Sequence, residues 1–175
     1  MTRSDSSLHL LVLNEFFFPD VCASSAVLTD HLPRIAALRP DWRITVLTGN
    51  RAWDRPEVTW PARDRLGTID IVRVNRPAVG RTLWRRGVGF AGFHRGVTRT
   101  GRRLPRPDVI MASTAPPLGG RLGLKLARHF NCPLIYKVLD LYPDCAVALN
   151  VLSRGSPIAA MWRRLDTAAM RASAA

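Results

Sequence analysis

Glutamate, lysine and cysteine are nearly missing from this chain, and each shortage excludes something. Three cysteines stand alone as Cys22, Cys132 and Cys145, forming neither a paired disulfide framework nor a Cys-x-x-Cys metal pair. They read as reduced thiols of a cytosolic protein with packing roles. His9, His31, His94 and His129 are scattered without metal-ligand spacing, so no metal and no cofactor is expected. No apolar run approaches the roughly 18 residues of a membrane-spanning helix. The opening MTRSDSS is polar, and the apolar run after it lacks a small-residue cleavage site, which predicts no secretory leader. Internal repeats and low-complexity tracts are absent as well.

Arginine is what the chain has in excess. Its formal net charge is +13, and the distribution is uneven. Between Asp70 and Asp108 there are ten arginines and no acidic residue. Such a field attracts phosphates, whether of nucleic acid, nucleotide or anionic lipid. A GC-rich codon usage accounts for arginine in place of lysine, but not for the missing acids.

The length suits one domain, and the apolar content of 47% suffices for a core. Five strand-like runs follow one another: Leu8–Asn14, Arg43–Thr48, Ile69–Asn75, Pro107–Ser113 and Pro133–Leu139. The first is continuously apolar, as expected of a central parallel strand covered on both faces. Helices are predicted from Ser24 or Ser25 to Leu38, with a kink or late start at Pro33, then over Arg81–Leu104 and Pro117–Phe130. A last one begins at Ser156-Pro157, a cap followed by proline at the first helical position. The stretch from Arg51 to Gly67, rich in tryptophan, proline and charge, reads as a long loop. The alternation predicts a Rossmann-like, doubly wound α/β domain, its parallel sheet carrying helices on both faces. Ligands in such sheets lodge beyond the carboxyl ends of the strands, here the turns after Asn14, Thr48, Ser113 and Leu139.

Gly87-Val88-Gly89-Phe90-Ala91-Gly92 spells G-x-G-x-x-G, but the nearest strand ends about Asn75, and a dinucleotide site needs the first glycine directly after a strand. The same stretch offers apolar residues (Trp84, Val88, Phe90, Ala91, Phe93, Val97) beside Arg81, Arg85, Arg86, Arg95, Arg99, Arg102 and Arg103. It reads either as a basic helix lying on an anionic membrane surface or as a helix packed on the sheet with a solvated basic face. Neither a recognition-helix nor an RNA-binding motif is present, so no specific nucleic-acid partner is expected.

Five turns in register carry a resemblance: Asn14-Glu15-Phe16-Phe17-Phe18-Pro19-Asp20, Val46-Leu47-Thr48-Gly49-Asn50, Val74-Asn75-Arg76-Pro77, Ser113-Thr114-Ala115-Pro116-Pro117 and Asp140-Leu141-Tyr142-Pro143-Asp144. Together they resemble the amino-terminal, acceptor-side domain of family 4 glycosyltransferases of the two-domain GT-B fold. The bacterial exopolysaccharide, colanic-acid and O-antigen subgroup looks most similar. The resemblance implies metal-independent, retaining transfer of a sugar from a nucleotide-sugar donor to a glycan acceptor on a polyprenyl diphosphate. It places the work at the cytoplasmic face of the cell membrane. It also implies that Asn14, Glu15 and Phe17 belong to the first acceptor-side loop. Thr48, Asn50, Ser113 and Thr114 would bond acceptor hydroxyls, and Tyr142 and Asp144 would line the cleft floor. Asp140 would orient the acceptor, although Asp-x-x-Pro-Asp is also ordinary turn chemistry.

Three departures stand out. Cys22-Ala23-Ser24 occupies the place where relatives often carry a Gly-Gly pair. Leu139, not histidine, precedes Asp140. Glu15 and Glu57 are the only glutamates, so the paired glutamates of a donor domain are missing from these residues. The expected unit is therefore a truncated front domain, inactive alone, with an uncovered sheet edge. The alternative is a non-catalytic membrane-surface or partner-binding module that needs a separate donor-domain chain.

Overall fold

A computed structural model describes residues 7–77 and 83–173, except for the side chains of 83–87. The opening MTRSDS and Arg81 lie outside the described residues, as do the side chains of Trp84, Arg85 and Arg86. In chain order the elements are β1 (His9–Leu13), α1 (Ala23–Leu38), β2 (Arg43–Gly49), β3 (Arg63–Leu66), β4 (Ile69–Val74), α2 (Leu83–Gly101), β5 (Val109–Ser113), α3 (Gly119–Phe130), β6 (Leu134–Lys137), α4 (Asp144–Ala148) and α5 (Pro157–Ala172).

The sheet runs β3-β4-β2-β1-β5-β6, with every pairing parallel except β3 against β4. It is a Rossmann-like, doubly wound α/β arrangement, mostly parallel rather than wholly so. The chain steps outward from β1 through β2 and β4, then crosses back to β5 on the other side of β1. That reversal opens a crevice between the carboxyl ends of β1 and β5.

Alternate residues of each strand build two cores. On one face Leu10, Val12, Ile44, Val46, Ile69 and Ile71 pack under Leu28 and Leu32 of α1. On the other, Leu11, Leu13, Leu47, Ile110, Ala112 and Leu134 meet Phe93 and Val97 of α2 and Leu122 and Leu126 of α3. Both faces of β1 are thereby covered, which is why its run is apolar throughout. Helix α1 runs through Pro33 without a break, anchored by Leu28 and Leu32.

Two elements depart from expectation. Strand β3 lies inside the segment read as a long loop, pairing antiparallel with β4 across the two-residue connection Gly67-Thr68. Gly67 sits at φ +59°, the left-handed region that glycine enters without a Cβ penalty. Its sequence, Arg-Asp-Arg-Leu, is that of a charged edge strand with no apolar face to read. The short helix α4 was likewise unforeseen. At the last helix the expectation holds: Ser156 Oγ accepts the Ile158 amide at 3.2 Å, and Pro157 follows it.

The outer edge of the sheet at β6 is uncovered on one side. Ile135, Val138, Leu139 and Leu141 are all exposed there. Helix α5 closes the opposite side by packing on α3, where a Cβ on Gly120 would come within 2.6 Å of the Tyr136 ring and 2.8 Å of Ala169.

Candidate functional site

Beyond the carboxyl ends of β1 and β5 lies a crevice of about 320 Å³. Glu15, Trp53, Thr114, Asp140 and Tyr142 line it together with Cys22 and Ser24. Four connections meet here, those after β1, β2, β5 and β6, and buried polar groups lock them to one another.

The first lock is Asn14, only 2% exposed. Its Nδ2 donates to Phe16 O at 2.5 Å and to Ser24 Oγ at 3.4 Å, while its Oδ1 accepts from the Ser113 hydroxyl. Glu15 N donates to Ala115 O at 2.8 Å, joining the turn after β1 to the turn after β5. The Glu15 carbonyl in turn accepts from Gly49 N at 2.9 Å and from Thr48 Oγ1 at 3.1 Å. A Cβ on Gly49 would stand 2.9 Å from that carbonyl, so this approach requires glycine.

The second lock is Thr114, also 2% exposed, whose Oγ1 accepts the amides of Leu139 (3.0 Å) and Asp140 (3.1 Å). It holds the turn after β6 against the crevice floor. Helix α5 braces the same turn from behind, where Tyr142 stacks on Trp162 at 5.1 Å with the rings 10° from parallel.

Several sequence assignments change accordingly. Thr48 is fully buried, and Ser113 is 4% exposed, so their hydroxyls, like the Asn14 carboxamide and the Thr114 hydroxyl, are engaged inside the protein and leave no face for an acceptor. They position the turns. Phe17, 2% exposed, belongs to the α1-side core and cannot stack on a sugar. Asn50 is half-buried and caps Arg76 N through Oδ1 at 2.9 Å. Asp144 points away from the crevice and pairs with Arg163 at 2.7 Å on the exposed surface. Glu15, Asp140 and Tyr142 remain in the crevice.

Glu15 is held by Arg76, Nε to Oε1 2.6 Å, both side chains being mostly buried. The guanidinium also lies 4.5 Å over the Phe16 ring, where cation–π attraction adds to the ion pair. Asp140 is exposed and carries no such partner among the described residues. Burial raises the Tyr142 phenol above its usual pKa, helped by neighbouring Cys145 and by the negative charges of Asp140 and Glu15. The ring therefore stays protonated and offers a donor to the crevice.

Trp53 was missed by sequence reasoning. It stands in the loop after β2, 60% exposed, on the wall of the crevice. Its amide donates to Asp20 Oδ2 at 2.9 Å, and an Arg51–Thr59 bridge closes the base of its loop. The available signal was a tryptophan in a polar loop at a strand's carboxyl end.

The arginine-rich segment divides by role. Arg73 is fully buried, donating to Phe18 O (2.7 Å), Pro61 O (3.1 Å) and Asp64 (3.0 Å), so it ties the first loop to the β3 edge. Phe93 and Val97 face the sheet and are 4% and 3% exposed, which removes them from any membrane-facing surface. Arg95, Arg99, Arg102 and Arg103 are exposed on the outer side of α2 and the turn after it. The G-x-G-x-x-G stretch lies within α2 itself, not at a strand-to-helix turn.

Among the described residues no group of three His, Cys, Asp or Glu side chains is placed to hold a metal ion. No described helix is long and apolar enough to cross a membrane. Compared with known proteins, the chain matches no family model and no curated sequence.

Proposed function

We propose that this chain is the acceptor-binding domain of a GT-B glycosyltransferase of the family 4 kind. In this reading it works in transfer of a sugar from a nucleotide-sugar donor to a lipid-linked glycan acceptor for cell-surface polysaccharide. The observation that carries the reading is the crevice at the β1/β5 reversal, where a carboxylate, a phenol and an exposed indole converge. Asp140 accepts a hydrogen bond from the acceptor hydroxyl and orients it. Tyr142 donates to a neighbouring oxygen, and the Trp53 face receives the apolar face of a sugar ring. Glu15, already paired with Arg76, shapes the crevice wall. Donor binding falls to another domain or chain, and the basic outer face of α2 brings the protein to anionic headgroups by charge alone.

The test is reconstitution. The chain, mixed with a separately expressed donor domain, a nucleotide sugar and a polyprenyl-diphosphate glycan, should give transfer that neither component gives alone. Asp140→Asn should lower that transfer about a hundredfold without unfolding the chain. Transfer unaffected by Asp140→Asn and by Trp53→Ala would overturn the assignment of this crevice.

A second reading keeps the crevice but makes the chain a non-catalytic partner-binding module. The apolar residues exposed at the β6 edge favour it, because contiguous apolar surface marks interaction sites. Complex formation with a donor-domain chain, without any transfer, is its expected result.

A further inference from the structure

Another cavity exceeds the crevice in volume. It is a groove of about 830 Å³ between the outer sides of α2 and α3, lined by Arg95, Arg99, Arg102, Arg103, Arg121 and Lys125. A second concavity of about 490 Å³ shares Arg102, Arg121 and Lys125 and adds Arg128. The two helices run side by side from the carboxyl edge of the sheet to its amino edge. Arg95 and Arg99 at the end of α2 and Arg102 in the turn after it recur at i, i+4 and i+7, and Arg121, Lys125 and Arg128 recur in the same way on α3. Two basic rails, each about 10 Å long at 1.5 Å per residue, therefore run along this groove, the α3 rail continuing through Arg128 into the adjoining concavity.

Among the described residues no carboxylate pairs with this charge. No acidic residue occurs between Asp70 and Asp108, nor between Asp108 and Asp140, so neither helix carries one. None of the ion pairs among the described residues uses a rail side chain. Like charges at i, i+4 repel, and arginine cannot relieve the repulsion by losing its proton. His94 lines the same groove, with Nε2 buried and lacking a hydrogen-bond partner. An added anion would neutralise the rails, and guanidinium groups in rows match phosphate oxygens through paired N–H donors.

We infer that the α2–α3 groove is a binding site for a soluble linear oligophosphate, gripped along its length by one rail from each helix. The inference stands on the groove alone and does not require the transferase reading. A single phosphate cannot touch both rails along their length, so chain length is the discriminating variable.

Calorimetric titration of the full chain with sodium tripolyphosphate tests it, set against orthophosphate and against vesicles containing phosphatidylglycerol. Tripolyphosphate should bind at least about tenfold tighter than orthophosphate. Arg121→Gln/Lys125→Gln and Arg95→Gln/Arg99→Gln should each weaken it about tenfold, while Arg55→Gln/Arg63→Gln, which removes the same charge elsewhere, should change it less than about twofold. Equal weakening by all three pairs would reduce the effect to net charge and overturn the site. So would vesicle binding without tripolyphosphate binding, which would assign the rails to a lipid surface, or duplex DNA competing equally well. Should a variant fail to fold, the wild-type chain decides: tripolyphosphate must raise its melting temperature above that in sulfate of equal ionic strength, and no rise overturns the inference.

Discussion

Glu15 and Arg76, sixty-one positions apart, form a 2.6 Å ion pair at the rim of the crevice, and both side chains are less than one-fifth exposed. The pair joins the turn after β1 to the turn after β4, so it sets the wall of the site and not its chemistry. Removing one partner leaves a partly buried charge alone, which costs about 2 kcal/mol. Arg76→Ala should therefore lower the melting temperature more than Arg76→Ala/Glu15→Gln does. Thermal denaturation of the single and double variants checks this, and equal losses would mean the pair is not coupled.

Thr114 holds the Leu139 and Asp140 amides with a single oxygen. Thr114→Val keeps the shape and deletes the acceptor, at a cost of about 1 kcal/mol or somewhat more. Hydrogen exchange should speed up at Leu139 and Asp140 and stay unchanged at the β1 amides. Uniform acceleration across the sheet would show general destabilisation instead.

Trp53 is exposed and its amide, not its ring, makes the bond to Asp20. Trp53→Ala should change stability by no more than about 0.5 kcal/mol, as surface substitutions do. Glycan binding, followed by saturation-transfer NMR, should nevertheless be lost.

Gly120 faces Tyr136 and Ala169 at distances no Cβ tolerates. Gly120→Ala should push α5 off α3 and destabilise the fold by about 1–3 kcal/mol, the usual range for overpacking. Because Trp162 stacks on Tyr142, the displacement should also alter the Tyr142 environment, visible in near-ultraviolet circular dichroism.

Two buried groups give opposite pH dependences. Burial holds the His94 ring down at about 4, against 6.5 when unfolded. Its contribution is present above pH 6.5 and is lost as pH falls through that window, so His94→Gln should flatten the acid limb of the stability profile. Asp166, buried against Tyr136 OH at 2.5 Å, has its pKa raised by desolvation. Its contribution is full below the unfolded value of 3.8 and is lost as pH rises through the raised folded value. Asp166→Asn should remove that loss, and urea titrations across pH separate the two.

The sequence by itself determined the layers. Continuous apolar runs such as Leu10–Leu13 belong only to strands covered twice, and helical spacing around Leu28 and Leu32 identifies the side that covers them. Ser156-Pro157 marked its helix because a cap and a following proline act locally. Strand β3 escaped because an edge strand of alternating charge has no apolar period, and only pairing with β4 makes it a strand. Proximity to the crevice was legible too, since every candidate turn ends a parallel strand. Tertiary structure alone decided which of those side chains reach the opening. Asn14, Thr48, Ser113 and Thr114 turn inward because the four converging connections leave backbone groups that need partners away from water. Asp140 and Trp53 turn outward because those bonds are already made. The basic rails show the same division. Arginine content is written in the sequence, but the register that brings Arg95 and Arg99 opposite Arg121 and Lys125 exists only where β1, β2 and β5 carry α2 and α3 side by side.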